Sequence, residues 1–321
     1  MTAELVESKQ LDFFVDGRDA LLIHEVVTSL VARDADRAAT GLARLREDHP
    51  SHPDLPALTL LAENLLAPFP TLATHGAVTA SVETMERELT PAARRFLGAA
   101  STTLLRPLWQ ALATTATALL FDDTYPRAHV GWLCQQYDDW AAVRAAVEAE
   151  PDWARTPLLR WWMGLARHHL GEPEAAIRLW LLVCWMDPRL FARHAPTLPS
   201  GTMREAWDSF ERAVVVDDFE ADAPHAATWF PAWMLLRHRG LARLFRAGDV
   251  PDGGTAARAF GALLTLVPLE DGGLSDELIA RRRALRQLSP GFFRCYMDAV
   301  GRVASHAQIA RSVSGFPRRR R

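Results

Sequence analysis

Apolar residues recur at helical spacing along nearly the whole chain, and almost nothing in it alternates as a half-buried strand would. Leu21, Leu22, Val26, Ser29 and Leu30 trace one helical face; Ala38, Leu42 and Leu45 trace the next. The single β-branched triplet, Val214-Val215-Val216, closes a helical pattern. A chain with a period near 3.6 throughout must bury its apolar stripes helix against helix, so the expected class is all-α.

Start and stop signals divide this pattern. Thr90-Pro91, Thr156-Pro157 and Ser289-Pro290 each set a capping residue before proline at the first helical position. Ser275-Asp276-Glu277 places a cap and two acids at the positive end of a helix, and Arg281, Arg282, Arg283 and Arg286 crowd its negative end. Pro68-Phe69-Pro70, the stretch 196–201 and the stretch 251–254 read as loops, and Pro107 as a break or kink. Short helices at this density, with short connections, predict antiparallel pairs. The expected division is an N-terminal helical group over 1–67 and a continuing helical array over 68–321.

Composition narrows the function classes. The 321 residues carry a formal net charge of -3, so no overall field draws the chain to nucleic acid or to an acidic membrane. No uncharged apolar run reaches the roughly 18 residues of a membrane span; the nearest, 104–121, is broken by Arg106, Pro107 and Gln110. No signal peptide is visible after Met1. Cys134, Cys184 and Cys295 form neither a C-x-x-C pair nor a zinc spacing, which fits a reducing, cytoplasmic setting. Lys9 is the only lysine, and arginine elsewhere reads as the codon bias of a GC-rich bacterial genome.

Motifs of reaction chemistry are missing. The chain has no G-x-S-x-G, no phosphate-cradling glycine loop and no G-x-G-x-x-G. His168-His169 lacks the i, i+4 spacing of a helical metal pair, and His24-Glu25 has no following histidine. The acidic run Asp217, Asp218, Glu220 and Asp222 reads as a solvated loop, and Arg318 to Arg321 as a frayed basic end. No metal, no cofactor and no catalytic residue are expected.

One stretch, 157–190, is organised more closely than the rest. Two amphipathic helices meet at Gly171-Glu172-Pro173; Gly164 and Ala176 allow close approach, Trp180 supplies bulk, and Pro188 ends the second helix. A second instance over 233–270 carries Ala256, Phe260 and Pro268, with Gly240 and Gly248 upstream. A third has Ala38, Leu42 and Pro50, and a looser echo follows Tyr137 through Trp140, Val143, Val147 and Pro151. In this the chain resembles the tetratricopeptide-repeat-like superfamily. Arg160 and Arg167 stand where that family's pattern has Trp and Tyr.

The resemblance implies an irregular α-solenoid of antiparallel helix pairs whose concave groove holds another protein. It places Leu158, Trp161, Leu165 and His168 on the groove wall, and Arg237 joins them as a partner-binding residue. The function expected is a non-catalytic adaptor, scaffold or dedicated chaperone in a bacterial assembly, taking a peptide or helical segment. Two alternatives stand beside it. One is an all-α enzyme or small-ligand-binding protein with a pocket in the block holding Trp109, Trp132, Trp140, Trp153, Trp161, Trp162, Trp180 and Trp185. The other is an obligate subunit of a hetero-complex.

Overall fold

The computed structural model describes residues 4–66, 69, 74–217 and 223–301. Most of the Pro68–Pro70 loop, the acidic run beyond Asp217 and the basic tail lie outside these residues. Among the described residues every regular element is a helix. Cα packing divides the chain into two compact units that meet in sequence at Pro151 and Asp152. The boundary expected at 67/68 falls at residues outside the described set.

The first unit holds α1 (Glu4–Ala32), α2 (Ala35–Asp48), α3 (Leu55–Leu66), α4 (His75–Thr84), α5 (Thr90–Leu97), α6 (Ser101–Thr115), α7 (Val130–Gln135) and α8 (Trp140–Glu148). Consecutive helices carry the main packing, α1 on α2 and α7 on α8. Asp34 caps α2 by accepting from Arg37 N–H, and Asp139 caps α8 by accepting from Ala142 N–H. A glycine sets the first crossing. A Cβ on Gly41 of α2 would lie 2.8 Å from Val26 Cγ2 of α1, so only glycine lets these helices approach this closely.

Two prolines behave differently from expectation. Thr90 is not a cap: the helical path continues from α4 into α5 through a π turn, Met85–Leu89, where Thr90 N–H donates to Met85 O. Pro91 has no N–H to continue the α ladder, and the wider turn absorbs the register shift at that point. Pro107 does not interrupt α6, which runs through it to Thr115.

In the second unit the helices are α9 (Pro157–His169), α10 (Pro173–Met186), α11 (Pro188–His194), α12 (Gly201–Asp217), α13 (Phe230–Arg237), α14 (Thr255–Asp271), α15 (Asp276–Leu288) and a last helix over 290–301. The tightest joint is the one read from sequence. Helix α9 folds back on α10 across a turn in which Gly171 takes φ +82, a left-handed conformation that favours glycine. Gly164 forms a notch for Trp180, and a Cβ there would sit 2.3 Å from the indole Nε1. That Nε1–H donates to Trp161 O at 3.3 Å, and Trp180 is fully buried.

Aromatic rings fill the space behind this joint. Phe191 lies 5.3 Å from Trp207 and 5.3 Å from Phe230, and Phe210 lies 5.4 Å from Phe230 and 5.7 Å from Trp233. All five are buried. Edge and tilted geometries predominate, as ring quadrupoles prefer.

The second repeat instance is not built as read. Gly240 and Gly248, upstream of Ala256, lie in 3-10 turns, Arg239–Leu244 and Ala247–Asp249, and not in a helix paired with α14. Glycine inside a helix costs about 1 kcal/mol relative to alanine, and the chain here takes tighter turns instead. Nor does Pro268 end its helix, since α14 continues to Asp271.

Ser275 caps α15 as expected, accepting from Leu278 N–H. Of the arginines thought to face the helix dipole, however, Arg282 turns across to α14. It grips Glu270 with Nη2 to Oε2 at 2.7 Å and Nε to Oε1 at 3.1 Å, and Tyr296 of the last helix donates its hydroxyl to the same carboxylate. Three helices therefore share one buried acid.

Replacing Gly164 by alanine forces Trp180 out of its notch. Overpacking of this kind costs about 1–3 kcal/mol, and loss of the indole hydrogen bond offsets the gain in helix propensity. Urea denaturation should show the variant net destabilised by about 1–3 kcal/mol. Gly76→Ala, in α4 with nothing near its new methyl, should instead be neutral or stabilising by up to about 1 kcal/mol. Equal effects of the two substitutions would contradict the notch.

Candidate functional site

The residues expected to line a groove are placed by the structure as follows. Leu158, Trp161, Leu165 and His168 do share one stripe of α9. Leu158, Leu165 and His168 are half-buried, but Trp161 is only 4% exposed. Its ring lies 6.0 Å from Trp180, 5.9 Å from Phe191 and 5.4 Å from His194. The reason is α11, a short helix directly after α10, which folds Phe191 and His194 over the face that the resemblance leaves open. Trp161 is thus core, which corrects its reading as an exposed anchor. Arg237 is exposed on α13, its guanidinium 4.5 Å from the centre of the Trp233 ring. The rings of His168 and His169 stand at 89° to one another. Among the described residues no three His, Cys, Asp or Glu side chains gather as a metal centre requires.

An open cleft of about 360 Å3 lies in the first unit, and sequence reasoning did not point to it. It is walled by the π turn with α5, by α6 and by the turn between α7 and α8. Ser101, Leu105, Trp109 and Tyr137 form a buried floor. Helical spacing explains three of these, since 101, 105 and 109 lie four apart on one face of α6. Trp109 is braced edge-on by Trp132 at 6.0 Å. The rim is exposed and polar: Glu86, Arg94, Thr102, Arg106, Gln136 and Asp138.

The floor is chemically settled. Ser101 donates its hydroxyl to Gly98 O at 2.7 Å. Tyr137 OH and Cys134 Sγ lie 3.0 Å apart. Burial and then the Cys134 contact raise the tyrosine pKa, and burial raises that of the thiol, so both stay protonated at neutral pH. A buried, protonated thiol is a poor nucleophile.

Charges on the rim are less settled. Glu86 is held by Arg127, Nη1 to Oε2, at 2.5 Å. The guanidinium groups of Arg94 and Arg106, by contrast, make no hydrogen bond or ion pair with any described residue. Asp138 supplies the opposing carboxylate, from a backbone held at φ +59. That left-handed conformation is unusual outside glycine, though aspartate tolerates it, and it turns the chain sharply at the cleft mouth.

His129 fixes this wall in place. Its Nδ1 accepts from Gly131 N–H at 3.0 Å, capping α7, while Nε2 faces Glu150 Oε1 at 3.2 Å. Glu150 also accepts from Phe121 N–H at 2.9 Å. The cap leaves Nδ1 unprotonated, so the neutral ring carries its proton on Nε2 and donates to Glu150. The α7 that it anchors leads straight into Gln136, Tyr137 and Asp138.

The chain matches no protein-family model, no curated protein and no solved structure.

Burial is the leading effect on His129 and lowers its pKa below the ordinary 6.5, outweighing the pull of Glu150. The unfolded ring therefore takes up a proton at a higher pH than the folded one. Its contribution to stability is complete above about pH 6.5 and is lost as pH falls below that value. Burial lowers His194 in the second unit likewise. Urea midpoints should drop between pH 7.5 and 5.5, and His129→Asn, which retains a capping side chain, should show a shallower drop. Identical pH slopes for the two proteins would rule out this role for His129.

Proposed function

We propose that the chain is a non-catalytic binding module of the helical-repeat kind, an adaptor or scaffold that holds a segment of another protein. Packing between consecutive helices, and the glycine crossings at Gly41 and Gly164, support an irregular array of antiparallel pairs within each unit. They also support the likeness to the tetratricopeptide superfamily. The receptive surface in this reading is the cleft of the first unit. One observation carries it: an apolar and aromatic floor lies beneath an exposed polar rim. That is the arrangement of binding hot spots, where a buried anchor is shielded from water by its surroundings.

The cleft volume favours one alternative. About 360 Å3 falls within the range of small-molecule sites, which keeps a small-ligand-binding protein as the second reading. Trp109, from the tryptophan block named in the sequence, lines that space.

A photo-crosslinking residue tests the choice. Placed at Gln136 on the rim, it should give one discrete protein adduct in the source cell. The same residue at Leu120, exposed but outside the cleft lining, should not. Absence of any protein adduct at Gln136, together with a small metabolite that raises the melting temperature, would overturn the platform reading in favour of the second.

A further inference from the structure

We infer that the cleft of the first unit selects acidic segments, holding a carboxylate of the bound chain between Arg94 and Arg106. This rests on the platform reading above and adds the chemistry of the partner. The argument is one of charge. Four charged side chains line the cleft: Glu86, Arg94, Arg106 and Asp138. Glu86 is neutralised by Arg127 at 2.5 Å. Two guanidinium groups without a partner then face one carboxylate, so the cleft carries a surplus of positive charge in a chain that is net negative.

Most other arginines near the two units' surfaces are engaged. Arg18 meets Asp48, Arg95 meets Asp54, Arg144 meets Glu148, and Arg243 meets Glu174. Others, among them Arg33, Arg189 and Arg258, have no such partner among the described residues, but Arg94 and Arg106 line one cleft together. Guanidinium forks match carboxylates with two parallel hydrogen bonds, and weak hydration eases their desolvation on binding. The buried floor beside them lowers the local dielectric and strengthens the pairing. Ser101 and Tyr137 have hydroxyls already turned to protein acceptors or to sulfur, so the charged contacts fall to the arginines.

Asp138 sets the register. Its carboxylate on the α7–α8 side repels an acid, so the recognised carboxylate lies toward α5 and α6, which carry Arg94 and Arg106. Removing that repulsion should tighten binding.

Random dodecapeptides displayed on phage, selected on the full chain, test both levels. Peptides enriched in Asp and Glu over the starting library are expected. Their affinity should fall about tenfold with Arg94→Gln or Arg106→Gln, rise with Asp138→Asn, and weaken between about 0.05 and 0.5 M salt. All three substitutions are at exposed positions, and circular dichroism should show unchanged helicity. Selected peptides that are blocked by Thr102→Trp or Gln136→Trp in the cleft mouth, yet are not acidic and ignore the arginine substitutions, would overturn the charge assignment and leave the platform standing. Peptides indifferent to both cleft-filling substitutions would overturn the platform itself.

Discussion

The second unit depends on the seating of one indole. Trp180 enters a notch that exists because residue 164 has no side chain, and its Nε1–H finds the Trp161 carbonyl. Once that ring is fixed, α9 and α10 are locked as a pair, and the face they present to α11 is fixed as well. Phe191, Trp207, Phe210, Phe230 and Trp233 then pack outward from it, each ring constrained by the last. Interiors packed at this density have little freedom to rearrange, so a single methyl at 164 is felt well beyond its own contacts.

On the proposed reading, stability and recognition fall to different parts of the chain. Most of the tryptophans of the second unit serve packing, and Trp161 is the clearest case. In the first unit the backbone departs from regular α-helix in a π turn at Met85–Leu89 and in a left-handed aspartate at Asp138. Both contribute residues to one cleft. Irregular backbone of this type costs free energy and persists where surrounding structure holds it, which is a common circumstance at binding sites.

How much of this was legible in the sequence depends on the range of the interaction. Helical class, the α9–α10 joint, the turn at Gly171 and the caps at Ser275 and Ser289 are local, written in periodicity and in single residues, and the structure agrees with them. Trp161 was misplaced because its burial is decided by α11, which no spacing within α9 announces. Thr90 was misread because the cap-plus-proline signature does not reveal that a π turn carries the helix through it. The cleft left only faint marks: Arg106 stood out as an intruder in an apolar run, and Tyr137-Asp138 appeared only as a repeat echo. That a guanidinium lacks a partner is a fact about three dimensions, since every arginine reads alike in one.

At the open cleft Arg94 and Arg106 make no hydrogen bond or ion pair with any described residue, whereas Arg282 is bound into the fold. Nitrogen-15 NMR of the arginine Nε–Hε groups addresses this directly. Arg282, clamped on Glu270, should give a sharp resonance in slow exchange with water. The account predicts fast exchange at Arg94 and Arg106 under the same conditions; protection equal to that of Arg282 at either position would contradict it.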